Sequence, residues 1–163
     1  MSRTVALLGS ALFLVLAPGT VAGLIPWWIT HWWGPPHHPA LTALGWVLIA
    51  LGGVLLVECF ARFALQGLGT PAPVAPTARL VVSGAYRWVR NPMYVAVTAL
   101  ILGQAAVFAS LPLMLYGYAI WAAFHAFVLG YEEPTLRRTF PDDYAAFFAA
   151  VPRWIPRLTP WKG

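Results

Sequence analysis

The chain has 163 residues, of which 60% are hydrophobic and 9% charged, and it carries a formal net charge of +5. Soluble domains are about 25% charged, so this composition excludes one and points to a membrane. The single cysteine, Cys59, excludes a disulfide framework and a paired-cysteine metal site, and the basic residues are scattered along segment ends, where they suit anionic headgroups better than nucleic acid.

The first apolar segment, about 4–26, follows Arg3, and its hydrophobicity runs on through Ile29. That is enough to cross a hydrocarbon core of roughly 30 Å, so a retained transmembrane helix is expected in preference to a cleaved leader. The connection at 27–39, WWITHWWGPPHHP, holds Trp27, Trp28, Trp32 and Trp33 beside His31, His37 and His38. With no carboxylate or cysteine among them, the histidines read as part of an interfacial aromatic belt, not as metal ligands.

A second segment, about 40–66, carries Glu58 and Arg62 near its end, the i, i+4 spacing of an internal ion pair. The loop at 67–91 comes next. Its three prolines favour stiff, extended backbone, a strap laid over the helix ends. It closes on GAYRWVRNPMY, residues 84–94, where polar chemistry is concentrated. Pro92 suits the first turn of a third apolar helix, about 92–109. Asn91, Tyr94 and Thr98 then share one face, and Arg87 and Arg90 offer planar guanidinium groups to a carboxylate or to headgroup phosphates.

FASLP, residues 108–112, allows only a tight hairpin into a fourth segment, about 111–131. Tyr118, His125 and Glu132 recur there every seven residues and so lie on one face. Such a stripe is either a hydrogen-bonded seam between helices or the wall of a ligand cleft. Glu132 and Glu133 close this helix, where the dipole disfavours anions. They call for cationic partners, either Arg137 and Arg138 or the ammonium or hydroxyl groups of a ligand. In the tail, DDYAAFFAAV sets Tyr144, Phe147, Phe148 and Val151 at amphipathic helical spacing, so this short helix can lie in the headgroup layer.

The expected architecture is therefore all-α and integral to the membrane: about four transmembrane helices plus a short C-terminal amphipathic helix, in one domain over 1–163. Residues 1–66 form an N-terminal hairpin, and 67–163 carry the polar motifs. The connection at 27–39 has no lysine or arginine, whereas nearly all basic residues come after the second or fourth segment. By the positive-inside rule both termini face the cytoplasm.

The pair of motifs GAYRWVRNPMY and, about forty residues later, YEEPTLRRTFPDDYAAFFAAVPRWIPR resembles the isoprenylcysteine carboxyl methyltransferase and phospholipid N-methyltransferase superfamily, over about Gly69 to Arg157. The resemblance implies a methyltransferase that uses S-adenosyl-L-methionine and takes a lipophilic or membrane-embedded acceptor: a carboxylate, an amine or a thiol. It implies a cofactor site of Tyr86, Arg87, Arg90, Asn91, Pro92, Tyr94, His125, Glu132 and Glu133. Asn91, Tyr94 and His125 would stand nearest the chemistry, with Tyr118, Tyr144 and Arg153 toward the acceptor. Many members have histidine where this chain has Asn91, which cannot move protons. The proton of an amine or thiol acceptor would fall to His125.

Nine arginines against one lysine, with abundant alanine and proline, hint at a GC-rich bacterial genome and an inner-membrane location. A prenylated protein is not an expected acceptor there. A lipid amine, a small hydrophobic thiol or an isoprenoid acid remain as acceptors. Two alternatives stand beside the enzyme: a non-catalytic membrane module for lipid binding or assembly, and a reductase of the sterol-reductase architecture, which needs more helices than this length allows.

Overall fold

A computed structural model describes residues 3–35, 37–67 and 80–162. The described residues are helical throughout their regular structure. Helix α1 (Arg3–Leu16) leads through a π-helical turn (Thr20–Leu24) into α2 (Ile25–Thr30), and α3 (Pro39–Arg62) ends in a π turn at Phe63–Gly67. After a 3-10 turn (Gly84–Arg87) come α4 (Pro92–Val107), α5 (Leu111–Phe127), a π turn (Val128–Glu132), α6 (Glu133–Thr139) and α7 (Pro141–Ala150). The proline-rich part of the strap, 69–79, lies outside the described residues.

Three continuous helices are long and apolar enough to cross a membrane: Leu8–Thr30, Pro39–Leu65 and Leu111–Thr139. The fourth, α4, has 16 residues. At 1.5 Å per residue it reaches about 24 Å, short of a roughly 30 Å hydrocarbon core. The expected set of four is thus three full spans and one shorter apolar helix. The tight hairpin is present, with Ala109 at φ 46° and the Ser110 hydroxyl accepting from Leu113 N at 3.3 Å.

Proline shapes the first span. Pro26 has no N–H to give back to the preceding turn, and the turn before it widens, with Ile25 N bonding Thr20 O. The carbonyls of Val21 and Ala22 are thereby released. Tyr116 donates its hydroxyl to Val21 O at 2.9 Å, and Gln104 donates its amide to Ala22 O at 2.7 Å. Two backbone acceptors that hydrocarbon would leave unsatisfied instead tie the first span to α5 and α4.

Helices α3 and α4 pack antiparallel at backbone distance. A Cβ on Gly45 would stand 2.6 Å from Gly103 O, and one on Gly103 would stand 2.8 Å from Gly45 O. Small residues permit this approach, the usual means of helix association where water supplies no drive. Around this seam Cys59, Ala96, Ile101 and Leu113 are fully buried.

A second core lies at the charged end. Tyr144, Phe147 and Val151 of the α7 region pack against Leu80, Val82, Leu136, Phe140 and Trp161. The apolar stripe of this helix packs against other parts of the protein. Beyond it, the tail runs antiparallel to residues 87–90. Arg90 N bonds Pro152 O, Arg157 N bonds Trp88 O and Trp161 N bonds Arg87 O, at 2.8–2.9 Å.

Candidate functional site

The tail and the 84–91 turn hold each other in place, and between them the polar residues of both motifs converge. Gly84 has φ +58°, backbone that a side chain rarely tolerates. The turn it makes drives Tyr86 inward, where the buried ring meets Phe63 edge-on at 5.7 Å. Burial raises the Tyr86 phenol well above its ordinary pKa, so it stays a neutral donor. Pro92 opens α4, as its fixed φ favours. Asn91, just before it, donates its amide to Arg153 O at 3.2 Å.

Glu133 is the electrostatic centre. Its side chain is only 8% exposed and lies within salt-bridge distance of both Arg90 and Arg153. Arg153 binds both carboxylate oxygens, Nε to Oε1 at 2.7 Å and Nη2 to Oε2 at 3.0 Å, and Arg90 adds Nη1 to Oε1 at 3.1 Å. The Arg90 guanidinium also lies 4.0 Å from the centre of the Phe148 ring, which in turn lies 5.9 Å from the Tyr144 ring. Burial, followed by the Glu133 charge, raises the Tyr144 phenol. The Nε of Arg90 is buried and has no hydrogen-bond acceptor among the described residues.

Glu132 is treated differently. Tyr94 donates its hydroxyl to Glu132 Oε2 at 2.7 Å, yet among the described residues no arginine, lysine or histidine nitrogen lies within 4.0 Å of this carboxylate. Two adjacent glutamates thus have opposite circumstances, one with two guanidinium partners and one with a phenol. One turn along from Tyr94, the Thr98 hydroxyl is buried without a partner among the described residues.

An aromatic wall stands alongside. Tyr94 and Phe124 rings lie 4.6 Å apart, Trp121 stacks on His125 at 5.3 Å, and Trp154 lies 5.8 Å from His125. Trp154 donates Nε1–H to His125 Nδ1 at 2.9 Å. Nδ1 is therefore the lone-pair nitrogen, and a neutral ring carries its proton on Nε2. That is the arrangement of a donor; a base role requires Trp154 to withdraw first.

The expected helix end at Glu132 and Glu133 is instead a π turn. Pro134 lacks an N–H and would clash with the carbonyl four residues back. The turn before it widens, Glu133 N bonds Val128 O, and the helix resumes as α6. The extra residue in that turn rotates the helix beyond it, so the seven-residue stripe does not continue unbroken. Tyr118 is exposed and makes no hydrogen bond or ring contact among the described residues, whereas Glu133 turns inward. The carboxylate partners are Arg90 and Arg153, not Arg137 and Arg138. Arg137 stacks on Phe148 at 4.2 Å.

Of the expected site residues, Arg90, Asn91, Tyr94, Glu132, Glu133, Tyr144 and Arg153 form one connected cluster, and His125 adjoins it through Trp154. Arg87 serves the tail, its guanidinium donating to Trp161 O. Trp121 and Phe124 lie outside both motifs, and Phe148 and Trp154, though inside the second, are not among the expected site residues. Trp121 and His125 are four residues apart on one helix, a spacing that could have flagged the pair. Glu58 and Arg62 form the expected ion pair at 2.7 Å.

The model of the phospholipid methyltransferase family matches residues 40–143, from the start of α3 into α7. The cobalt-zinc-cadmium resistance protein CzcN of Cupriavidus metallidurans is 28% identical over 134 residues, 82% of this chain. The chain spans 57% of the length of that curated relative. Arg153 and Trp154 lie beyond the stretch that the family model matches.

Proposed function

The chain belongs to the phospholipid methyltransferase family, and we propose that it moves a methyl group from S-adenosylmethionine to a lipophilic acceptor reaching the site from the bilayer. The observation that carries this reading is Glu132, a carboxylate fixed by Tyr94 with no cation beside it among the described residues. It is a seat for a cationic ligand. Arg90, with Nε buried and unpaired among the described residues, supplies the complementary donor for a ligand carboxylate. A methionine-derived sulfonium carries both groups, and the residues present fit it.

When bound, the donor supplies an electrophilic methyl on a cationic sulfur, open to in-line displacement by the acceptor. The chain's own part is placement. Tyr94 and Glu132 would hold the cationic portion, with the Tyr94 and Phe124 rings beside them to stabilise positive charge. Arg153 spends its charge on Glu133 and so keeps Arg90 oriented. Alignment of donor and acceptor can contribute roughly 7–11 kcal/mol to the barrier lowering, and the apolar surroundings exclude water. By the positive-inside reading this face is cytoplasmic.

Transfer of labelled methyl from S-adenosylmethionine into organic-extractable material, by membranes containing the chain, tests the reading. Label should appear with the intact protein and fall at least tenfold with Glu132→Gln. No label from any lipid extract would leave the non-catalytic membrane module as the better account.

A further inference from the structure

Away from the Glu132 cluster, a cleft of about 460 Å³ opens between the outward face of α3 and the 84–89 turn. Leu51, Val54, Leu55 and Glu58, spaced i, i+3, i+4 and i+7, form one wall, and Gly84 and Trp88 form the other. Leu51 and Val54 are 65% and 72% exposed on a helix long enough to span the membrane. The mouth of the cleft therefore faces acyl chains.

Glu58 is the ionisable residue of this apolar lining. Its Oε1 accepts from Arg62 Nε at 2.7 Å, while Oε2 is buried and has no hydrogen-bond partner among the described residues. A buried carboxylate oxygen without a donor is rare and asks for an explanation. The backbone is shaped around the carboxylate: a Cβ at Gly84 would run into Glu58 Oε1. Arg62 already neutralises the charge, so the free oxygen needs a donor hydrogen more than a second cation.

We propose that this cleft binds a lipophilic molecule by a hydrogen-bond-donating head, a hydroxyl or an amine, set on the part-exposed Glu58 carboxylate, with its hydrocarbon along Leu51, Val54 and Leu55. Heads without a donor and anionic heads are refused there. Binding at this cleft requires no methyl donor, so it is measured apart from methyl transfer. Val89 and Val95 line the same cleft and adjoin Arg90 and Tyr94 in the chain. Within the methyltransferase reading, on which this last step rests, the cleft is a berth for an acceptor that is an amine or alcohol, not an acid.

Four photoreactive probes of equal chain length, an alcohol, an amine, a methyl ester and a carboxylic acid, would be crosslinked to the full chain in lipid nanodiscs at neutral pH. The crosslinks would be mapped by peptide mass spectrometry. The alcohol and amine should label residues 51–58 or 84–89 at least fivefold more than the ester and the acid. Glu58→Gln should weaken that preference at least fivefold. Val54→Trp, a change at an exposed position that fills the mouth, should abolish labelling while Glu58 and Arg62 stay paired. Equal labelling by all four probes, or labelling unchanged in Val54→Trp, would overturn the proposal, whatever the outcome of the methyl-transfer assay.

Discussion

Arg153 grips both oxygens of Glu133, twenty residues earlier in the chain, through hydrogen bonds of 2.7 and 3.0 Å. This contact joins the tail to the start of α6, beside the backbone bonds that hold it to residues 87–90. Arg90 shares Oε1 of the same carboxylate and keeps a buried Nε without an acceptor among the described residues.

Arg153→Ala should therefore damage more than the tail. Arg153 is 26% exposed and Glu133 keeps Arg90 as a partner, so losing its two charge-assisted hydrogen bonds costs about 1–3 kcal/mol. The expected result is a lower unfolding midpoint in detergent together with weaker cofactor binding. Arg153→Lys should restore part of the stability but not the fork geometry. Unchanged stability in both variants would show that the bidentate contact carries nothing.

Gln104 and Pro26 should be energetically coupled. Gln104→Leu leaves Ala22 O without its donor, at a cost of about 1 kcal/mol. Pro26→Ala restores the N–H that can serve this carbonyl from within the helix. In a double-mutant cycle read by denaturant unfolding in micelles, the leucine substitution should cost clearly less in the Pro26→Ala background. Strict additivity would contradict the assignment.

His125→Gln should keep most of the methyl-transfer activity, because Nδ1 is already committed to Trp154 and a glutamine oxygen can accept the same bond. Trp154→Phe should instead loosen the tail, seen as faster amide hydrogen exchange at 152–157. Loss of most methyl transfer to an amine or thiol acceptor in a folded His125→Gln variant would restore the general-base role.

Tyr86 and Tyr144 have phenol pKa values raised in the folded chain, mainly by burial. A raised folded pKa means stability that is fully present below the unfolded value, about 10, and is lost as pH rises through the folded one. The protein should lose stability in alkaline solution from about pH 10 upward, and Tyr144→Phe should flatten part of that loss. An equally steep alkaline loss in Tyr86→Phe/Tyr144→Phe would assign it elsewhere.

The helical membrane architecture is legible in the sequence because hydrocarbon thickness and apolar run length are directly linked. The hairpin at Ala109 comes from a connection too short for anything else. The π turns are not legible: a seven-residue recurrence presumes a uniform helix, and Pro26 and Pro134 break that uniformity from one turn downstream. The partners of Glu133 escape the sequence for a related reason. Arg137 and Arg138 are near in the chain, whereas Arg90 and Arg153 arrive through the antiparallel docking of the tail, a tertiary event with no local signature. The motif residues themselves, Arg90, Asn91, Tyr94, Glu132 and Glu133, stand out because charge is scarce in this chain, and the structure brings them together.

The most direct measurement is calorimetric titration of S-adenosylmethionine and its demethylated product into the detergent-purified chain, beside Glu132→Gln and Arg90→Ala. Micromolar binding to the intact protein, weakened at least tenfold in both variants, is the expected result. A folded protein that binds neither molecule, or binds them equally well in both variants, would contradict the assignment of this cluster as the donor site.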